Sequence, residues 1–346
     1  MKKIVKQVTG IDVAQKELVV SLGRMYDDLE LEVYAHRAFS NSTKGFLALL
    51  SWVKGMIDQA IEVRYVMEAT GVYHESLAYF LDGQGHNLSV VLPNKISNYF
   101  RTLDVKTITD KTASEAITRF GLERKLENWK PPHPVFKKLR QLTRERDQLV
   151  QSRTAAKNQL HAEQAEAEPN KSSVTRVKKQ IVFLNKQEQE IKAEIVELVN
   201  QSETVKKKIK LMASAPGIAS LTATTILAET NGFELIRSKK QLASYAGLDV
   251  REKQSGTSVK GKPRISKKGN RYLRKSMHLP ALAAIRSNER FKAIFARLVS
   301  KHGIKMKAAV AVQRKLLELV YIIYKTEKPY DNNYIQKTRE QQIATP

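Results

Sequence analysis

The chain has 346 residues, 42% of them hydrophobic, enough for two or three domains with cores of their own. It carries 60 Lys and Arg against 35 Asp and Glu, a formal net charge of +25, so a polyanion, nucleic acid first, is the expected partner. There is no cysteine, which removes disulfides, thiolate zinc sites and thiol nucleophiles together; no apolar run approaches a membrane span, and Lys6 and Asp12 interrupt any signal-peptide core, so a cytoplasmic protein with no membrane partner is expected.

Residues 4–13 (IVKQVTGIDV) and 16–23 (KELVVSLG) alternate as two strands around a turn at Ala14 to Lys16, and 31–40 (LEVYAHRAFS) reads as a third. KGFLALLSWVKGM then forms a helix entered from the cap-like NST, IEVRYVMEAT a buried strand, HESLAYFLDG a helix ending at Gly83, and NLSVVLP a strand ending at Pro93. A helix through DKTASEAITRFG closes a region of about 1–130, expected to be a mixed sheet with helices packed on it.

PPHP at 131–134 reads as a linker. Beyond it, positions 174, 177, 181, 184, 188, 191, 195, 198, 202, 205 and 209 form a heptad series, apolar except at Glu188 and Ser202. This predicts a helical hairpin, about 134–166 and 174–210, with a coiled-coil seam; an ordinary bundle pair is the alternative, because Arg146 and Arg153 fall in the seam of the first helix. From about 211 the chain is mostly helical. APGIASLTATTILAET looks like half of a helix-hairpin-helix, SKKQLASYAGL is a helix ended by Gly247, and 250–269 is a polar, Gly-rich basic loop. Three helices are expected over 270–287, 289–301 and 304–325, with a disordered tail after Lys328.

Asp12 is the first anomaly. It stands in the apolar run of Val8, Ile11 and Val13, and burying an unpaired carboxylate is costly. Glu68 ends another apolar strand, and Asp110 opens a helix. Acids at element ends in an alternating sheet-and-helix domain lie where α/β sites form. Converging carboxylates repel unless a cation neutralises them, and oxygen-only ligation suits Mg2+ or Mn2+. Asp110 charging a helix N-terminus is the bland alternative.

The second concentration is basic. From Asn231 onward there are 26 Lys and Arg against 8 acids. Eight of the 26 fall between positions 260 and 275 with no acid among them: Lys260, Lys262, Arg264, Lys267, Lys268, Arg271, Arg274 and Lys275, candidate phosphate contacts. GTSVKGKP is a near miss to a P-loop, but Pro263 replaces its Ser or Thr and no apolar strand leads directly into it, so nucleotide binding is rejected. Ser255 by composition alone is a flexible-loop serine; Ser258 is its nearest rival, and Tyr272 is a tyrosine with nucleophile chemistry whose alternative role is helix packing. The seven histidines show no metal spacing.

The ordered series GIDVAQK, MEATGVYH, TDKTASEAITRFG, LMASAPGI, LASYAGLDVREKQSG and RISKKGNRYLRK resembles the DEDD transposases of bacterial insertion sequences, the bridge-RNA-guided serine recombinases, over nearly the whole chain. The resemblance implies a ribonuclease H-like (RuvC-like) domain at about 1–130, a coiled-coil hairpin at 131–210 and a helical transposase domain at 211–330. It also implies double-stranded donor and target DNA and a structured noncoding guide RNA as partners, dimers assembling to tetramers, and nucleoid association. On the family pattern Asp12, Glu68 and Asp110 hold the metal and Ser255 attacks the DNA phosphate. Ala113 stands where that pattern has a fourth aspartate, and Glu115, five residues past Asp110, is turned away. A water-using, metal-dependent junction nuclease is the alternative activity, and a non-enzymatic architectural protein a third.

Overall fold

The structure is a computed structural model describing residues 2–333 other than 70, 104, 106, 235, 253, 256–258 and 262; for residues 254, 255, 259 and 260 it describes the backbone alone. The chain divides into two compact units, Met1–Pro131 and Pro132–Pro346.

The first unit is built on strands β1 (Ile4–Val13), β2 (Glu17–Tyr26) and β3 (Leu31–Ser40), then helix α1 (Thr43–Met56), β4 (Val63–Glu68), α2 (Glu75–Gly83), β5 (Leu88–Val91), α3 (Pro93–Phe100) and α4 (Asp110–Glu123). The sheet order is β3-β2-β1-β4-β5. β1 and β2, and β2 and β3, pair antiparallel; β4 lies parallel to both β1 and β5. Period-two alternation sends each strand's side chains to two faces. Ile11, Val13, Leu18, Val20 and Met67 pack with Phe46 and Leu49 of α1 and Leu77 and Leu81 of α2. Val8, Val66 and Val91 pack with Ile96 and Tyr99 of α3 and Ile117 and Phe120 of α4.

α4 lies unusually close to its face. A Cβ on Gly10 would stand 2.2 Å from the Thr118 hydroxyl and 2.4 Å from the Thr118 backbone nitrogen, and one on Gly121 would stand 2.7 Å from Val8 and 2.9 Å from Val66. Buried hydroxyls finish the seam: Ser21 and Ser114 share a hydrogen bond of 2.7 Å, and Thr118 donates to the Ser114 carbonyl (2.8 Å) or the Ser21 carbonyl (3.1 Å). Gly10→Ala is therefore expected to lower unfolding free energy by about 2–3 kcal/mol, measurable by urea denaturation, because α4 backbone atoms as well as the Thr118 hydroxyl block the methyl. A loss below about 0.5 kcal/mol would mean that α4 shifts freely on the sheet.

The second unit opens with two long helices, α5 (Pro134–Gln164) and α6 (Lys171–Asn200). Leu139 and Leu142 of α5 share a cluster with Ile191, Ile195 and Leu198 of α6, while Ala156, Leu149 and Leu160 meet Val177, Ile181 and Leu184, so the helices pair in opposite directions. Both exceptions in the heptad series have structural reasons. Glu188 is buried and takes Arg146 (2.8 Å), Arg153 and Lys192 (3.2 Å) as partners, which accounts for arginines in an apolar seam. Burial pushes the Glu188 carboxyl up, but the Lys192 hydrogen bond, the Arg146 charge and the Arg153 hydrogen bond outweigh it and hold the carboxyl below its usual range. Ser202 corrects the expectation of one helix to 210: its side chain accepts the Val205 N–H and begins a separate α7 (Glu203–Met212). α6 likewise begins at Lys171, earlier than expected, because Asn170 caps Ser172 and Ser173.

There follow α8 (Ser220–Glu229), α9 (Lys239–Tyr245), the two-residue strands β6 (Val250–Arg251), β7 (Gln254–Ser255), β8 (Val259–Lys260) and β9 (Arg264–Ile265), then α10 (Arg271–Ser276), α11 (His278–Ser287), α12 (Glu289–His302) and α13 (Lys305–Thr326). The stretch expected as a plain loop is thus a nested pair of hairpins, β6 with β9 and β7 with β8. The helix expected over 270–287 is broken at Met277; Pro280 has no N–H to give the Ser276 carbonyl. The expected disordered tail is anchored as far as it is described: the Tyr330 backbone donates to Ser214 (2.8 Å), and Asn288 donates to Tyr330 and Asn332. Among the described residues no helix is long and apolar enough to cross a membrane.

Candidate active site and basic strip

Asp12 lies one residue beyond the Ile11–Met67 pair of the parallel β1–β4 ladder, and Glu68 ends β4 beside it. Alternation puts Asp12 on the face of Val8 and Gly10, and Glu68 on the face of Val66: the α4 face, not the one that buries Ile11 and Val13. α4 runs back over that face, with Gly121 over Val8, Ser114 and Thr118 over Gly10, and its first residue, Asp110, toward the carboxyl ends of β1 and β4. This is why Asp12 is tolerated in an apolar run. It is half-buried at the strand end where helix cover gives out.

The electrostatics record the convergence. Burial, then the Asp110 charge, then the Glu68 charge push the Asp12 carboxyl up to about 6, against a lowering hydrogen bond from the Val13 backbone. Asp110 is exposed in the first turn of α4, which Thr109 and Thr112 close as a reciprocal cap. Ala113 is half-buried one turn later and presents a methyl. Glu115 is 3.9 Å from Lys111, on a different side of the helix from Asp110. Among the described residues no group of three or more His, Cys, Asp or Glu is drawn together closely enough to hold a metal ion.

Two neighbours of this region escaped the sequence analysis. The Asn41 amide donates to the Ala14 carbonyl (2.9 Å) and the Tyr73 carbonyl (3.1 Å), tying together the segments that leave β1 and β4. His74 precedes α2, and burial holds its imidazole pKa below the usual value against raising contributions from Glu75 and the Gly71 backbone. The signal available for Asn41 was only a turn-like Asn before a helix cap, and its partners lie 27 and 32 residues away.

In the second unit Ser255 ends β7, with its backbone paired to Val259 of β8. Its side chain, that of Lys260, and the whole of Ser258 and Lys262 lie outside the described residues. Arg264, Lys267, Lys268 and Arg271 are exposed, and Lys267 takes a left-handed φ of 53°. Two proposed phosphate contacts have internal work as well. Arg274 donates to the Ala246 carbonyl at the end of α9 (3.0 Å), and Lys275 pairs with Asp147 of α5. Arg144 and Arg271 stack on the Tyr272 ring, 4.5 and 4.8 Å from its centroid, and the Tyr272 hydroxyl accepts from Arg271 (2.9 Å).

Under the strip sits a residue the sequence analysis missed. Glu229 has a side chain 1% exposed. It accepts a forked pair from Arg144 (2.7 and 2.8 Å) and a bond from Asn270 (2.6 Å), the cap of α10. The signal was present: an acid closing an apolar helix, the same anomaly that marked Asp12. Gly217, in the Pro-Gly turn before α8, packs on α11, where a Cβ would meet the Pro280 carbonyl at 2.3 Å.

The acid end of one unit and the basic strip of the other correspond to two matched stretches of known sequence. A DEDD-type IS110 transposase family model matches residues 9–164, and a model described as the Transposase IS116/IS110/IS902 family matches residues 209–296. DNA recombination or transposition, with cleavage and rejoining of strands, is the class of activity these matches support. In chain order they align this protein with the IS110-family transposases. The pilin gene-inverting protein of Moraxella bovis is 26% identical over 335 residues, covering 94% of this chain and 98% of the relative; that of Moraxella lacunata matches to the same extent. An IS110 insertion-element protein of Streptomyces coelicolor is 25% identical over 122 residues, 35% of this chain and 30% of the relative. Among solved structures, Thermus thermophilus RuvC in complex with a Holliday junction substrate covers 36% of this chain and 99% of its own, at 10% identity and a TM-score of 0.28.

Proposed function

We propose that this protein is an RNA-guided, site-specific DNA recombinase that excises and inserts a mobile element through a covalent serine–DNA link. The observation that carries the reading is a half-buried Asp12 whose carboxyl is raised by burial and then by the Asp110 and Glu68 charges, within the stretch matched to DEDD transposases, together with a strip of eight cations and no acid in the stretch matched to the second transposase model. Ser255 is assigned as nucleophile. Its oxygen bonds to phosphorus as one strand P–O bond breaks, and the leaving oxygen gains a proton while the serine loses one. The count of P–O ester bonds is unchanged, so rejoining needs no nucleotide, consistent with the rejected P-loop. Trapping a denaturation-resistant protein–DNA adduct tests the proposal; cleavage without an adduct would replace it with the junction-nuclease reading.

The donor set of Asp12, Glu68 and Asp110 is all oxygen and suits a hard divalent ion, Mg2+ or Mn2+. Burial first, then the Asp110 and Glu68 charges, raise the Asp12 carboxyl, and a bound cation would offset the repulsion. Such an ion, when bound, would neutralise charge at a phosphate oxygen. Asp12 and Glu68, on adjacent parallel strand ends, and Asp110, at the start of α4, are the residues that would hold it. Ala113→Asp is expected to tighten divalent binding by about tenfold, followed by isothermal titration, since affinity follows the number of ligand charges. No change on adding the carboxylate would show that position 113 does not face the ion.

The paired α5 and α6 are assigned as the coiled-coil element that brings dimers to tetramers. Val182, Phe183 and Val196 of α6 are exposed, by 67%, 58% and 59%, which supports contact with another copy. Val182→Asp with Phe183→Asp is expected to lower the assembled mass by light scattering without loss of helix; an unchanged mass would exclude that face from assembly.

A further inference from the structure

The basic excess of the second unit has another centre. From Arg290 to Leu317 the chain carries eight Lys and Arg and no acid, the same number as in the strip at 260–275. These residues form α12 and the first half of α13. Gly303, at φ 68°, ends α12 and turns the chain directly into α13. All seven residues from Lys301 to Lys307 are exposed, including Ile304 at 56% and Met306 at 60%. Lys301, Lys305 and Lys307 have no ion-pair partner among the described residues. Slight burial and then the Lys307 and Lys301 charges hold the His302 imidazole below its usual pKa, so these charges gather around one turn.

The turn is continuous with the strip. Val310 and Gln313 of α13 line a groove of about 460 Å³ together with Arg271, Arg274 and Lys275, and the Gln313 amide donates to the Arg274 carbonyl. Met306 and Lys307 precede Val310 by one turn on the same stripe. At 1.5 Å per residue, Met306 lies only about 10 Å along the helix from Gln313. A merely solvated face gains nothing from two exposed apolar side chains among unpaired cations. A duplex surface uses both, with cations on phosphates and apolar side chains against sugars and base steps.

We propose that the α12–α13 turn is a second DNA-contact surface continuous with the α10 strip, where Lys301, Lys305 and Lys307 neutralise phosphates of duplex DNA and Ile304 and Met306 contact its groove. The proposal rests on the DNA-recombination reading above. The test uses the full chain and a fluorescent DNA duplex, with affinity measured across about 50 to 200 mM salt. Lys301→Ala, Lys305→Ala and Lys307→Ala combined is expected to make the log–log salt slope shallower by about 2 to 3 and to weaken binding at least about tenfold at the lower salt. Ile304→Ser with Met306→Ser is expected to weaken binding with the slope unchanged. Circular dichroism should match the parent in both variants, because every substituted side chain is exposed. If the triple variant keeps slope and affinity while Lys268→Ala with Arg271→Ala loses them, the second surface is wrong and the DNA reading stands. Loss confined to a structured RNA probe, with duplex binding kept, would also overturn it. If the parent shows no salt-dependent duplex binding, both fall together.

Discussion

Ser255→Ala is expected to abolish the covalent protein–DNA adduct and to reduce recombination by more than about 10³-fold, while DNA and RNA binding survive. The substitution removes a nucleophilic oxygen and no charge. Binding rests on cations that stay in place, with Arg264, Lys267, Lys268 and Arg271 exposed beside the loop. The measurement belongs in an Ala113→Asp background, so that metal affinity does not limit the reaction. Ser258→Ala and Tyr272→Phe are the controls. Tyr272 is held between two arginines and its hydroxyl already accepts from Arg271, so Tyr272→Phe is expected to loosen packing and spare the adduct. An adduct that survives Ser255→Ala and disappears in Tyr272→Phe would move the nucleophile to the tyrosine. Cleavage that survives all three substitutions would make water the attacking group and the protein a metal-dependent junction nuclease.

Asp12→Asn is expected to do two opposite things: eliminate adduct formation and stabilise the fold at neutral pH. The Asp12 carboxyl titrates near 6 in the folded protein against an ordinary value of 3.8. A raised folded-state pKa means that the unfolded chain ionises more readily. The associated stability is fully present below about pH 4 and is lost as pH rises through 6. Asp12 is partly solvated, so the penalty at pH 7 is discounted to roughly 1 kcal/mol. Asn keeps the shape without the charge. Its melting temperature at pH 7 without divalent ions should exceed the parent's by about 2–4 °C, and the gap should close near pH 4. Added Mg2+ or Mn2+ should raise the parent's melting temperature and leave the variant's unmoved. A variant less stable than the parent at pH 7, or a gap that persists at pH 4, would show that Asp12 is not held among like charges.

The buried acids show how much of the site was legible. Asp12 announced itself because a carboxylate in an apolar run contradicts a local pattern. Glu229 carried the same mark, but its meaning depends on Arg144, 85 residues away, and Asn270, 41 residues away. Glu188 looked like a flaw in a heptad; it is the partner of Arg146 and Arg153, two apparent flaws in the opposite helix.

What the sequence determined by itself was local or summed. Alternation of period two placed β1 at residues 4–13 and β3 at 31–40, and cap residues started α1 and α4 within a residue of where they begin. Net charge and its concentration beyond residue 231 do not depend on fold at all. Tertiary structure alone decided which face of the sheet Asp12 occupies, because alternation defines two faces and says nothing of which helix covers either. It also decided how near α4 lies, through the missing side chains of Gly10 and Gly121, and that Ser202 begins a new helix although the heptad spacing runs on through Val205 and Ile209. The physical reason is range: backbone propensity and periodicity act over a few residues, whereas burial, close approach and charge pairing join positions as far as 128 residues apart, whose neighbours exist only once the chain has packed.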